Sequence, residues 1–343
     1  MKKLTRALSA AMSAALMAAL LLAVAPVAPV FAEPAVAEKP TATKSEAAKT
    51  ETAKTETPPY NQQMNVVFAD TDDGVGLIMD IFTPTGKSNG IGIVDIVSGG
   101  WSAARGRLDD HKKAGIYDVA CERGCTVFAI RPGSSSKYCA LEMVDNLKLG
   151  IRWVKEHAAE YKIDPDRLGL TGASAGGHLT CLSVTLAEDG DPNAKDPLKR
   201  HSTRVKAAVA FFPPTDFLNW GSMQLGKKPG KSPVVIMLGG LLFEGGIKKQ
   251  SPEEIEAQMA KISPARLVTG KEPPMLLIHG DADLVVPLQQ SEVMLEAFKK
   301  AGVPCELIVK KGGGHPWPTI REEVVIASDW LERHLQPTET AGK

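Results

Sequence analysis

Between residues 60 and 337 the hydrophobic positions alternate between two periods. Met64–Phe68 and Gly76–Phe82 carry the spacing of strands, with Asp72-Asp73-Gly74 as the turn of a hairpin. Ile91–Val97 is an almost unbroken apolar run, interrupted by Asp95, and Cys125–Ile130 is another. Runs of this kind suit strands buried on both faces. Between them Arg107–Arg123 reads as a helix. Further on, Met143, Leu147, Ile151, Val154 and Ala158 share one face of a helix over Glu142–Tyr161. Leu168–Thr171, Val205–Phe212, Met275–His279 and Cys305–Val309 read as later strands. Helices are expected after Ser174 and over Pro252–Lys261, Gln289–Ala301 and Thr319–Leu335. The rest of Phe217–Pro264 is irregular. Strands that alternate with helices predict an α/β fold, a mostly parallel sheet of about eight strands with helices on both faces.

The pattern breaks down upstream. Lys2, Lys3 and Arg6 precede an Ala/Leu-rich run to about Val24, and Val30-Phe31-Ala32 supplies small residues at a cleavage position. Residues 1–32 therefore read as a signal peptide, and the protein is expected to be exported, periplasmic or extracellular, with no membrane anchor after cleavage. Residues 33–59 hold Ala, Thr, Lys, Glu and Pro with almost nothing to bury, a disordered tether. The folded domain is expected over 60–337, with a cap or lid insertion at 217–264 and a tail at 338–343. The formal net charge of the 343 residues is zero, which argues against nucleic acid or a charged membrane surface as partner. The five cysteines are an odd number, none at zinc-finger spacing. Cys181, on the helix after Ser174, reads as a small buried apolar residue; Cys121 is able to pair with Cys125, with Cys139 as a competing partner, but structural thiols are the simpler expectation.

The chemistry gathers at predicted strand ends. Gly172-Ala173-Ser174-Ala175-Gly176 lies between a strand and a helix, the G-x-S-x-G pattern of a nucleophile elbow. A serine hydroxyl is a poor nucleophile unless a base lies within hydrogen-bond reach and a third group orients that base. In chain order the candidates are Ser174, then Asp283 with Asp281 two residues away, then His315. Of the seven histidines, His315 sits in a glycine-rich loop after the last strand, and Pro316 biases it away from helix. Ser98-Gly99-Gly100-Trp101 also follows a strand. The backbone N–H groups of Gly100, Trp101 and Ala175 are candidate donors to an oxyanion. His178, one helical turn past Ser174, reads as a packed or capping residue. No metal site is expected, because no His/Glu pair has zinc spacing, and no organic cofactor is implied.

Four stretches together carry a family resemblance: Gly172-Ala173-Ser174-Ala175-Gly176-Gly177-His178, Pro214-Thr215-Asp216, His279-Gly280-Asp281-Ala282-Asp283-Leu284-Val285-Val286-Pro287 and Gly312-Gly313-Gly314-His315. On these, residues 61–335 resemble the α/β-hydrolase superfamily, in particular its bacterial esterases of the acetylxylan and feruloyl type. The resemblance implies a serine esterase that cleaves carboxylic esters through an acyl-enzyme, with small acyl groups on carbohydrate as substrate, a small molecule or a polysaccharide. It also selects Asp283 over Asp281, since the family pattern is His-Gly, two residues, Asp, two residues, Val-Pro. The chain departs from the pattern at Ser98, where such proteins carry His before Gly-Gly. Two other expectations are kept open: a serine peptidase or amidase of the prolyl-oligopeptidase type, and an inactive α/β-hydrolase acting as a binding module.

Overall fold

The computed structural model describes residues 57–71, 74–221, 225 and 232–337. The expected signal peptide, the tether up to Glu56, Asp72 and Asp73 of the hairpin turn, part of 217–264 and the tail lie outside the described residues. Eight strands among the described residues form one sheet: β1 (Tyr60–Asp70), β2 (Gly76–Pro84), β3 (Gly92–Ile96), β4 (Thr126–Arg131), β5 (Leu168–Ala173), β6 (Ala207–Phe211), β7 (Met275–Gly280) and β8 (Cys305–Lys310). Their order across the sheet is β1-β2-β4-β3-β5-β6-β7-β8. β2 pairs antiparallel with β1 and β4, and the remaining pairs are parallel.

The central strands are buried on both faces, which accounts for their largely apolar sequences, with Asp95 and His279 as buried polar exceptions. Successive side chains go to opposite sides. Val94, Ile96, Phe128 and Ile130 join one core, while Ile93, Val97, Val127 and Ala129 join the other. The helices follow the same division. α3 (Ala140–Glu156) and α4 (Ala175–Thr185) contribute to the first core, with α7 (Pro252–Lys261) and α8 (Gln289–Lys300). α1 (Arg105–Ala114), α2 (Ile116–Glu122) and α9 (Ile320–His334) cover the second. α3 buries Met143, Leu147, Ile151 and Val154, as its periodicity predicts, and starts on a capping box in which the Cys139 N–H donates to Glu142 Oε2 at 2.7 Å. α4 shows no such periodicity because it is buried along nearly its whole length.

The helix expected over Arg107–Arg123 is two helices. Gly115 takes φ 80° between α1 and α2, and its N–H closes onto Lys112 O. A left-handed glycine ends a helix while satisfying its last carbonyls. The helix expected to reach Tyr161 stops at Glu156. All five cysteines are free thiols.

The segment between β6 and β7 contains α5 (Pro233–Met237), α6 (Gly239–Leu242) and α7. Its two ends are joined. Phe217 N–H donates to Ser263 Oγ at 2.9 Å, Ala265 N–H to Thr215 O at 3.1 Å, and Arg266 pairs with Asp216 at 2.8 Å. Buried Gln290 on α8 accepts the N–H groups of both Thr215 and Asp216 at 2.8 Å.

Candidate active site

Ser174 stands between β5 and α4 with φ 54° and ψ −116°. This backbone region is strained for a residue with a side chain. The turn exists because its flanks have no side chains: a Cβ on Gly172 would lie 2.5 Å from Gly176 O, and one on Gly176 would lie 2.4 Å from Ile96 O. Hydrogen bonds from Ser174 N–H to Phe211 O at 2.9 Å and from Gly176 N–H to Ser98 O at 3.1 Å seat the elbow between β6 and the β3 loop. The hydroxyl sits at the N-terminus of α4, where the aligned peptide dipoles favour negative charge.

His315 and Asp283 reach this serine from the loops after β8 and β7. Ser174 Oγ–H donates to His315 Nε2 at 2.8 Å, and His315 Nδ1–H donates to Asp283 Oδ2 at 2.6 Å. The other carboxylate oxygen of Asp283 accepts the N–H groups of Val285 and Val286 at 2.8 and 2.9 Å. Burial pushes the Asp283 carboxyl up, but hydrogen bonds from His279 and His315 outweigh it and hold it down to about 2. Asp283 is therefore ionised at neutral pH. Asp281 does other work: its Oδ1 accepts Gly312 N–H at 2.6 Å, which shapes the loop that carries His315.

Across from Ser174, Gly99 and Ser102 exchange hydrogen bonds at 3.0 and 3.1 Å around Gly100 and Trp101, both at φ 56°. Two central residues at positive φ characterise a tight type I′ hairpin turn. Ser135 N–H donates to Trp101 O, and Ala103 N–H to Ser134 Oγ, so the turn is also fixed from outside. The N–H groups of Gly100, Trp101 and Ala175 have no hydrogen-bond partner among the described residues, which leaves them free to donate. Ser98, in the position where the resembled family has His, contributes its backbone oxygen to the elbow, and its own hydroxyl is buried without a partner.

Sequence reasoning missed Phe212 and His279. Phe212, just past β6, has φ 36° and sets its ring 4.5 Å from the His315 ring, edge to face. With it, three of the five positive-φ non-glycine residues among the described ones (Trp101, Ser174 and Phe212) surround one point. Backbone strain of this kind collects at functional sites. No residue type at Phe212-Pro213-Pro214 announces that strain. His279 is buried against Asp283, with Nε2 at 2.9 Å from Val286 O and 3.5 Å from Asp283 Oδ2. It opens the His279–Pro287 stretch, where its residue type alone assigns it no role. His178 is fully buried between Trp101 and Ile262, and Arg131 is tied to Asp80 and Asn65.

Ser174 and His315 open into a cavity of about 330 Å³ whose wall is mostly apolar, with Trp101, Phe212, Trp220, Leu238, Val286 and Ile320 among its lining. Its volume falls within the range of small-molecule sites. The described residues contain no cluster of His, Cys, Asp and Glu arranged to hold a metal ion.

Sheet order, a serine elbow after β5, and a carboxylate and histidine following β7 and β8 define an α/β-hydrolase. Comparison with known proteins refines that class. The chain belongs to the BD-FAE family, whose model matches residues 79–298. A probable carboxylic ester hydrolase of Mycobacterium tuberculosis, LipM, is 28% identical over 208 residues, covering 61% of this chain and 44% of LipM. Esterase LipQ of the same organism is 31% identical over 157 residues, covering 46% of this chain and 34% of LipQ. The chain thus spans less than half the length of these two curated relatives. Among solved structures, a truncated carbohydrate esterase from gut microbiota superposes with a TM-score of 0.66 at 25% identity, covering 81% of this chain and 97% of that one. Propionate-bound esterase Est2 of Thermogutta terrifontis gives a TM-score of 0.58 at 25% identity, with coverage of 82% and 97%.

Proposed function

We propose that this protein is an exported serine esterase that cleaves carboxylic esters, with small acyl groups on carbohydrate as its substrates. The observation that carries the reading is the unbroken chain of hydrogen bonds Ser174–His315–Asp283 at the wall of an apolar cavity. Ser174 Oγ attacks the acyl carbon while its proton passes to His315 Nε2. The oxygen that becomes negative is met by the N–H groups of Ala175 and of Gly100 or Trp101. Collapse of the tetrahedral species expels the alcohol, protonated by His315, and leaves an acyl-serine. Water, deprotonated by His315, then releases the acid and restores Ser174. Asp283 keeps Nδ1 protonated, so Nε2 stays available as the base, and its charge stabilises the imidazolium formed in both steps. The apolar wall suits the acyl portion. The carbohydrate portion is supported by the likeness to a carbohydrate esterase, and export by the charged, apolar and small-residue order of residues 1–32.

The test compares wild type with Ser174→Ala on a chromogenic acetyl ester, acetylated xylan and a peptide amide. Ester hydrolysis by the wild type alone is the expected result. Equal ester rates for the two proteins would remove Ser174 from the mechanism. Amide cleavage without ester preference would favour a peptidase, and inertness of folded wild type on a broad ester panel would favour a binding module. N-terminal sequencing of the protein recovered outside the cytoplasm should begin at Glu33.

A further inference from the structure

Trp101 is a bulky residue held at φ 56°, a conformation that costs about 1–3 kcal/mol and persists only where surroundings impose it. Its side chain adds a further restraint to the backbone bonds that close the turn. The indole N–H donates to His178 Nδ1 at 3.0 Å, and the two rings meet edge to face at 5.7 Å. His178 is itself fixed from the other side, where Nε2–H donates to Ile262 O at 2.8 Å. That bond places the ring proton on Nε2 and leaves the Nδ1 lone pair for the indole. Phe217 closes over the imidazole at 5.1 Å. Burial drives the His178 imidazole down to about 4, against the opposing effect of the Ile262 hydrogen bond, so it is neutral at physiological pH.

The position of His178 gives this strut its meaning. It lies on α4 one turn past Ser174, and its backbone N–H donates to Ser174 O at 2.8 Å. Ile262 ends α7, at the joined neck of the segment between β6 and β7. One side chain therefore connects the nucleophile helix, the Gly100–Trp101 turn and the base of the cap.

Resting on the esterase reading above, we propose that His178 is a positioning residue: by accepting the Trp101 indole N–H it holds the backbone donors of Gly100 and Trp101 at their working distance from Ser174. It touches no reacting atom. A misplaced donor stabilises the charged oxygen less, so the loss falls on turnover and not on substrate binding.

The experiment uses the folded protein with three substitutions. Trp101→Phe deletes the indole N–H and keeps the ring and the backbone donors. His178→Leu deletes the acceptor, and His178→Asn restores one near the place of Nδ1. Trp101→Phe and His178→Leu are expected to lower kcat for an acetyl ester roughly 10- to 100-fold, below the ~10²–10³ that follows outright loss of a donor. KM should stay within about threefold. His178→Asn should recover most of the loss, and the Trp101→Phe/His178→Leu double variant should be no slower than His178→Leu alone.

Amide hydrogen exchange over residues 98–102, read without substrate, should accelerate in Trp101→Phe and His178→Leu. Wild-type kcat in folded Trp101→Phe, unchanged exchange, or additive losses in the double variant would each overturn the proposal. Should His178→Leu fail to fold, Trp101→Phe decides the matter, since it opens no large cavity. Absence of Ser174-dependent hydrolysis in the wild type would overturn the esterase reading, and the exchange data would still report whether the strut holds the turn.

Discussion

Replacing Asp283 with Asn changes one atom of the carboxylate, and the structure dictates how the amide must sit. Oδ1 of Asp283 accepts two backbone N–H groups, from Val285 and Val286. In the variant the amide oxygen takes that place, because an NH₂ there would face two donors. The NH₂ is then directed at His315 Nδ1, where the carboxylate accepted a proton at 2.6 Å. Nδ1 must turn acceptor, the imidazole proton moves to Nε2, and the base facing Ser174 is lost. The negative charge that stabilised the imidazolium goes with it. Loss of about 10⁴ in kcat is expected, about 5 kcal/mol in the barrier.

The same substitution bears on stability. The Asp283 carboxyl is held at about 2, below an ordinary value of about 3.9, which amounts to about 2–3 kcal/mol of folding free energy at neutral pH. Because the folded value is the lower one, that contribution is complete above about pH 4 and is lost as pH falls through about 2. The assay is kcat on a chromogenic acetyl ester with urea unfolding in parallel. Asp281→Asn serves as control: Asp281 shapes the neighbouring loop through Gly312 N–H and should keep kcat within about tenfold. An Asp283→Asn protein retaining more than about a tenth of wild-type kcat, or an Asp281→Asn protein losing as much as Asp283→Asn, would refute the reasoning.

Gly176→Ala would press a methyl to 2.4 Å from Ile96 O, and backbone cannot yield there as a side chain end would; a drop of about 1–3 kcal/mol or more in urea unfolding is expected, and unchanged stability would contradict the close approach. Gln290→Ala strips the acceptor from two buried N–H groups, Thr215 and Asp216, at about 1–3 kcal/mol for each; stability within error of wild type would show that the joined ends of the β6–β7 segment do not depend on it. His178 adds a pH dependence. Its folded value of about 4 lies below an ordinary value of about 6.5, so the unfolded chain binds the extra proton between them and stability rises with pH across that window by about 3 kcal/mol. Wild type should therefore lose about that much more than His178→Asn between pH 7 and pH 4 in chemical unfolding, and parallel losses would argue against a buried neutral imidazole.

The elements that were legible along the chain are those whose pattern is local. Met143, Leu147, Ile151 and Val154 recur at helical spacing and form the buried face of α3. Largely apolar runs mark β3, β6 and β7 because both faces of those strands are covered. Gly115, with no side chain to oppose a positive φ, split one expected helix into two, and that outcome depends on α1 and α2 packing as separate pieces against the sheet.

For the site, residue type and chain order pointed to Ser174, to an acid at Asp281 or Asp283, and to His315, since an elbow serine, an acid and a base after later strands converge at the carboxyl edge of a parallel sheet, and the family resemblance then picked Asp283. Distance, burial and protonation were decided only by tertiary structure. In space, Asp283 is the carboxylate buried against the imidazole, while Asp281 accepts the Gly312 N–H. The parts that went unread, the Phe212 ring on His315 and the Trp101–His178–Ile262 strut, join residues far apart in sequence. Local propensity carries no information about such contacts, because they come into being only when separate strands and helices pack against one another.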